Sequence, residues 1–265
     1  MRIVVCVKHV PDLQSERALD SRGFTVRGED DVLNELDENA VEAAVSLAEE
    51  HGGEVVAVTM GPADAVDALR RALQMGAHSA VHIDDDALAG SDVVGTARVL
   101  AAAVRAIGAE DPVDLVVTGM AAMDGLTSML PAALAACLEL PQLTLATRID
   151  VTGGTLRVRR EIGEAVETLE APLPALVSVT DQANEPRYPN FRAIIGAKKK
   201  PVTRWTLADL EPYLGADVTV TGAAGAGTRI LRSAARPGRQ QGRIVTDSGD
   251  GGAQLAAYLV ENKLV

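Results

Sequence analysis

The sequence predicts an α/β fold built on a doubly wound, mainly parallel sheet, and three observations carry that expectation. Short, valine-rich apolar runs recur at 2–8, 54–60, 80–83 and 114–119, as in parallel strands buried on both faces. Amphipathic helical patterns of ten to seventeen residues stand between them, which is the alternation of a βαβ chain. With 265 residues, 47% of them hydrophobic and 23% charged, the chain can bury one large core.

The first run, Arg2 to Lys8, forms strand one, and its exit Lys8-His9-Val10-Pro11-Asp12 leaves at the carboxyl edge, where open α/β sheets bind ligands. A polar stretch with a small hairpin around Gly23 and Phe24 follows. Ala40, Val41, Ala44, Val45 and Ala48 then recur at helical spacing within Asn34 to Glu50, with Asp37 read as the N-cap. Strand two is Glu54 to Met60. Gly61-Pro62 turns the chain into a helix from Ala63 to Met75, which Gly76 stops. A third strand spans Ala80 to Ile83, a helix capped by Ser91 runs to Ile107, and a fourth strand spans Asp114 to Gly119. A helix from Pro131 to Leu138 follows the loop Gly119 to Leu130.

The period then changes. Leu143 to Val151, Thr155 to Arg160 and Glu167 to Glu170 alternate polar and apolar residues around turns, an antiparallel addition with one wet face. Leu173 to Thr180 is a buried strand. Residues 1–214 are read as one nucleotide-binding-type domain. Residues 215–265 are read as an extended arm ending in a helix from Gly252 to Lys263, because Gly215 to Gly242 and the five arginines of Arg229 to Arg243 show no sustained periodicity.

Asn184 to Arg204, NEPRYPNFRAIIGAKKKPVTR, departs from the rest. Six cations against one carboxylate give it +5 and leave −17 for the remainder of a chain whose net charge is −12. Three of the six aromatic residues, Tyr188, Phe191 and Trp205, fall within eighteen positions. Pro186 and Pro189 stiffen its start, and Asn190 caps a short helix that places Phe191, Ile194 and Ile195 on one side. Lysines close it where the helix dipole favours cations. Composition alone reads this helix as a surface element whose apolar side covers the core.

Several functions are excluded or disfavoured. The apolar runs are too short to span a bilayer, and Met1 leads straight into a strand without a signal-peptide layout, so a soluble cytoplasmic protein is expected. Two cysteines make neither a disulfide framework nor a metal site, and His51, His78 and His82 lack ligand spacing, so no metal is expected. Cys6, inside an apolar strand, is read as a core residue rather than as half of a catalytic dyad with His9, and no catalytic residue is expected. A pI near 4.8 argues against nucleic acid. Neither the dinucleotide glycine fingerprint nor the phosphate P-loop is present.

NEPRYPNFRAIIGAKKK resembles the signature of the electron transfer flavoprotein β subunit, the FixA family. IVVCVKHVPD, LNELDENAVEAA, AVTMGPADA, ALQMGAH and VTDSGDGGAQLAAYLVENK stand in the family's order across essentially the whole chain. The resemblance implies an adenine-nucleotide α-hydrolase-like fold and a non-catalytic electron carrier. Its α-subunit partner would hold most of the FAD, and AMP would sit as a structural ligand of this chain. It implies electrons accepted from flavin dehydrogenases, such as acyl-CoA dehydrogenases of fatty acid oxidation, and passed to a membrane quinone oxidoreductase. The positions it implies for the nucleotide are Cys6, Asn34, Glu35, Leu36, Asp37, Met60, Gly119, Ala122, Asp124, Gly125, Thr127, Ser128, Met129 and Leu130. The last of these lie in a loop with fewer polar side chains than the family pattern. For partner docking it implies Arg187, Tyr188, Phe191, Ile194, Ile195, Lys198, Lys199 and Lys200, with Phe191 where the family carries an aliphatic anchor. Two other readings stay open: an electron-bifurcating subunit that binds its own FAD, and a universal-stress-type adenine-nucleotide module.

Overall fold

Nine strands form one sheet in the order β11-β5-β4-β1-β6-β10-β7-β8-β9. The structure is a computed structural model that describes residues 1–15, 18–215, 221–234, 237–238, 242 and 244–265. The parallel strands are β1 (Arg2–Cys6), β4 (Glu54–Met60), β5 (Ser79–Ile83), β6 (Leu115–Gly119), β10 (Ala175–Val179) and β11 (Val202–Trp205). At the centre, β1 pairs in parallel with β4 on one side, Ile3 opposite Val55, and with β6 on the other, Ile3 opposite Leu115.

Alternation along β1 assigns its side chains to two layers. Ile3 and Val5 join a core with Ala44 and Val45 of α1 (Glu35–His51) and Leu69 and Leu73 of α2 (Val66–Met75). Val4 and Cys6 join the opposite core with Val99 and Leu100 of α3 (Val93–Ile107) and Leu134 of α4 (Leu130–Leu138). Helices therefore cover both faces, as a doubly wound sheet requires. The chain winds outward from β1 through β4 to β5, then returns to β6 on the far side of β1. That reversal is a topological switch point, where open α/β sheets form a crevice at the carboxyl ends of the strands, here β1 and β6.

The antiparallel addition is β7 (Gln142–Thr152), β8 (Thr155–Ile162) and β9 (Ala165–Pro172), with β7 joined in parallel to β10. Arg157–Glu170 pair across its wet face, and Arg160–Glu167 pair on the opposite face, at the rim of the side that buries Leu156 and Val158.

Three local expectations are corrected. Strand one ends at Cys6, because the Lys8 amide donates to the Asp37 carboxylate and the chain turns into a two-stranded antiparallel ribbon, β2 (His9–Pro11) with β3 (Asp31–Leu33). Asn34, not Asp37, stands at the N-cap of α1; Asp37 is the third helical residue, turned inward. Asp92, not Ser91, caps α3, accepting from the Gly95 amide at 2.9 Å. Strand β11 was not legible from periodicity, since four residues at the sheet edge give too short a pattern.

α5 (Phe191–Ala197) has the expected cap, Asn190 Oδ1 accepting from the Ala193 amide at 2.9 Å. α6 (Leu207–Leu210) begins in a capping box between Thr206 and Asp209. α7 (Gly222–Gly225) lies against the 86–92 segment, with the Ala223 amide donating to the Ala89 carbonyl. Residues Met1–Leu231 form one compact unit and Arg232–Val265 a second, which contains α8 (Gly251–Glu261), a helix with no buried residue. Arg236, Arg239 and Arg243 of the arginine-bearing stretch lie outside the described residues. Among the described residues, no helix is long and apolar enough to cross a membrane.

Candidate functional site

The crevice between β1 and β6 gathers a polar cluster out of otherwise apolar strands. Asn34, fully buried, donates through Nδ2 to the Ala121 carbonyl and accepts through Oδ1 from the Met123 amide, both at 2.9 Å. One side chain thereby ties the start of α1 to the loop after β6. Gly119 closes the same contact from the strand side. A Cβ there would lie 2.4 Å from Asp37 Oδ1 and 2.7 Å from the Leu36 carbonyl oxygen, so only glycine lets β6 and α1 meet.

Burial pushes the Asp37 carboxyl up to about 7, although Asn34, Lys8 and Gly119 favour its charged form. Burial, with the nearby Asp37, pushes the Cys6 thiol up to about 12, so it stays protonated at neutral pH and is no nucleophile. Lys8 reaches across from the end of β1 and pairs with Asp124 at 2.8 Å. Its position directly after a buried strand was the available sequence signal, and it was missed. Thr118 at the end of β6 and Thr59 at the end of β4 were also missed, and their buried hydroxyls have no hydrogen-bond partner.

Of the fourteen positions implied for the nucleotide, the structure brings together Cys6, Asn34, Leu36, Asp37, Gly119, Ala122 and Asp124 around this cluster. Met60 ends β4 on the other flank of β1, and Glu35 is exposed. Gly125, Thr127, Ser128 and Met129 form an exposed lip leading to Leu130, the first residue of α4. Two non-glycine residues of that lip, Leu126 and Ser128, hold left-handed φ values of 48° and 53°. With few polar side chains on the lip, main-chain amides, the amino end of α4 and the unpartnered Thr118 hydroxyl are the groups suited to a phosphoryl or ribose oxygen.

The basic stretch lies on the outer surface of α1 and α2. Asn184 and Asn39 exchange side-chain-to-backbone hydrogen bonds at 2.9 and 3.0 Å. Arg187 grips Glu42 through Nε at 2.8 Å and Glu49 through Nη1 at 2.7 Å, and its amide also donates to Glu42 at 2.9 Å. Burial alone would raise the Glu42 carboxyl, but Arg187 outweighs it and holds the group below the usual carboxylate range. Arg187 likewise lowers Glu49.

Charge and apolar surface are therefore distributed differently from the simple basic patch expected. Arg187 is paired with two carboxylates of α1. Lys200 donates to the Leu73 and Ala77 carbonyls at the end of α2, and burial lowers its pKa. Arg204 pairs with Asp84 at 2.9 Å. Arg192, Lys198 and Lys199 are exposed. Phe191 is 78% exposed and Tyr188 87%, with the Arg71 guanidinium 5.5 Å from the Tyr188 ring centre. Ile195 is 46% exposed and Ile194 half-buried. The apolar side of α5 thus does not cover the core; Ala197 is its one buried residue.

An α/β domain with a buried polar cluster at the carboxyl ends of β1 and β6 and a separate exposed apolar surface is what these features define. The electron transfer flavoprotein domain model matches residues 23–210. The chain is 45% identical to the electron transfer flavoprotein subunit beta of Mycobacterium leprae and 43% identical to that of Mycobacterium tuberculosis, in each case across 99% of both chains. It is also 34% identical to the caffeyl-CoA reductase-Etf complex subunit CarD of Acetobacterium woodii, across 93% of this chain and 92% of that one. The chain belongs to the electron transfer flavoprotein β-subunit family. A role in electron transport beside a flavin and an α subunit follows from that membership.

Proposed function

We propose that this chain is the scaffold and docking subunit of a heterodimeric electron transfer flavoprotein. The complex accepts electrons from acyl-CoA or related flavin dehydrogenases and delivers them toward a membrane quinone oxidoreductase. It is a carrier without chemistry of its own. FAD, held mainly by the α subunit, supplies the redox chemistry when bound.

The observation that carries this reading is the exposed Phe191 on a short helix fixed to α1 and α2 at both ends. An aromatic side chain left in water on a tethered element is suited to insertion into a partner's pocket, since little ordering opposes the contact. Lys198 and Lys199 face solvent and would speed encounter with an acidic rim. The crevice residues do a different job. Asn34 and Lys8 hold the loop after β6, and its lip would offer AMP, as a structural ligand, the main-chain amides beyond Leu126, since those of Gly125 and Leu126 already donate to the Ala122 carbonyl. Residues 215–265 would wrap the α subunit.

The relation to the caffeyl-CoA reductase-Etf complex subunit favours a second reading, in which a second FAD occupies the crevice for bifurcation. Acyl-CoA dehydrogenase reduced by its acyl-CoA, mixed with the co-expressed complex, tests the first. Bleaching of the flavin absorbance in catalytic proportion supports it. A flavin that acyl-CoA dehydrogenase leaves oxidised, but NADH reduces, supports the second.

A further inference from the structure

α5 cannot orient itself. It has seven residues and buries one, Ala197, so its own packing supplies little to fix the direction in which Phe191 points. Two tethers do that instead. At the carboxyl end, Lys200 donates to the Leu73 carbonyl in the last turn of α2 and to the Ala77 carbonyl just beyond that helix. At the amino end, Arg187 stands four residues before Phe191 and spends its whole guanidinium on α1.

The amino-terminal tether is built to be rigid. Nε and Nη2 of Arg187 meet both oxygens of Glu42 at 2.8 and 3.0 Å, while Nη1 and Nη2 meet both oxygens of Glu49 at 2.7 and 2.9 Å. Glu42 is held in turn by the Ser46 hydroxyl at 2.9 Å. Glu42 and Glu49 are seven residues apart on α1, two turns, so the planar fork bridges successive levels of one helix face. The Arg187 main chain is held too, its amide donating to Glu42. Pro186 before it and Pro189 after it remove most of the remaining backbone freedom.

We infer that Arg187 is a positioning residue for partner docking, its two-carboxylate grip on Glu42 and Glu49 setting the direction in which Phe191 is presented. The inference rests on the docking role proposed for Phe191. A lysine would keep the charge but lose the fork, since an ammonium group cannot meet two carboxylates in this plane.

The test uses the αβ complex carrying Arg187→Lys, Glu42→Gln, both together, or Phe191→Ala. Acyl-CoA dehydrogenase reduced by its acyl-CoA is the electron donor. Arg187→Lys should raise the KM for the dehydrogenase about tenfold, because the helix must be ordered anew at each encounter. The kcat should stay within about twofold, because the docked state is unchanged. Glu42→Gln should do the same, and the double variant should be no worse than either single one. Amide hydrogen exchange should quicken across 187–197 and not in the sheet strands, and reduction by dithionite should be unaffected. Unchanged KM and exchange in Arg187→Lys, beside a raised KM in Phe191→Ala, would overturn the positioning role and leave the docking site standing. An unchanged KM in Phe191→Ala would remove the docking reading and the positioning role with it. A lowered kcat in Arg187→Lys with normal KM would also count against positioning.

Discussion

Replacing Phe191 by alanine should weaken coupling to the dehydrogenase and leave the fold intact. The ring is 78% exposed, so roughly four-fifths of its transfer energy is still available to a partner. Full burial of such a side chain is worth about 1.5–3 kcal/mol, which places the available part near ~2 kcal/mol. At about 1.4 kcal/mol per decade this is roughly a thirtyfold loss of affinity. Stability should change by no more than about 0.5 kcal/mol, the usual range for an exposed position. A core aromatic would instead cost about 3–5 kcal/mol. Melting temperature and dehydrogenase-driven flavin reduction, measured on one preparation, separate the two. A clear drop in melting temperature with undiminished coupling would refute the reasoning.

Two further outcomes concern the crevice. Burial raises the Asp37 carboxyl to about 7 in the folded chain, whereas unfolded it titrates near about 4. Between those values the folded state binds more protons than the unfolded one, so this group's contribution to stability falls as pH rises from about 4 to about 7. Asp37→Asn carries no titrating group, so its melting temperature relative to wild type should move upward between pH 5 and pH 8; identical pH profiles would contradict this. Asn34→Ala removes two buried hydrogen bonds and leaves the Met123 amide without that acceptor, a loss of about 2–4 kcal/mol in urea unfolding. A shift in unfolding midpoint too small to resolve would mean that Asn34 does not hold the loop.

How much of this was legible in the residues depends on how local each signal is. The buried strands and long helices announce themselves through periodicity, because burial on one or two faces repeats every second or every third to fourth residue. β11 and the β2–β3 ribbon do not, since three or four residues carry no period and their place depends on neighbours distant in sequence. The cap of α1 was misplaced because Asp37 is a good capping residue whose carboxylate is drawn inward by the Lys8 amide, a contact set by the tertiary fold. The basic stretch was recognisable by its charge. Which of its cations face solvent was not, because Glu42, Glu49, Asp84 and the end of α2 are brought to it only by folding. Phe191 shows the same limit from the other side. Its helical spacing with Ile194 and Ile195 suits a core-facing stripe, yet in the folded chain the ring is left 78% exposed.

The most direct measurement is the native mass of the complex formed when this chain is co-expressed with its α subunit. The account predicts a one-to-one heterodimer that releases one FAD and one AMP on denaturation. Two FAD molecules and no AMP would move the crevice to the bifurcating reading. A self-sufficient homodimer of this chain, with the α subunit and flavin left behind, would contradict the account at its centre.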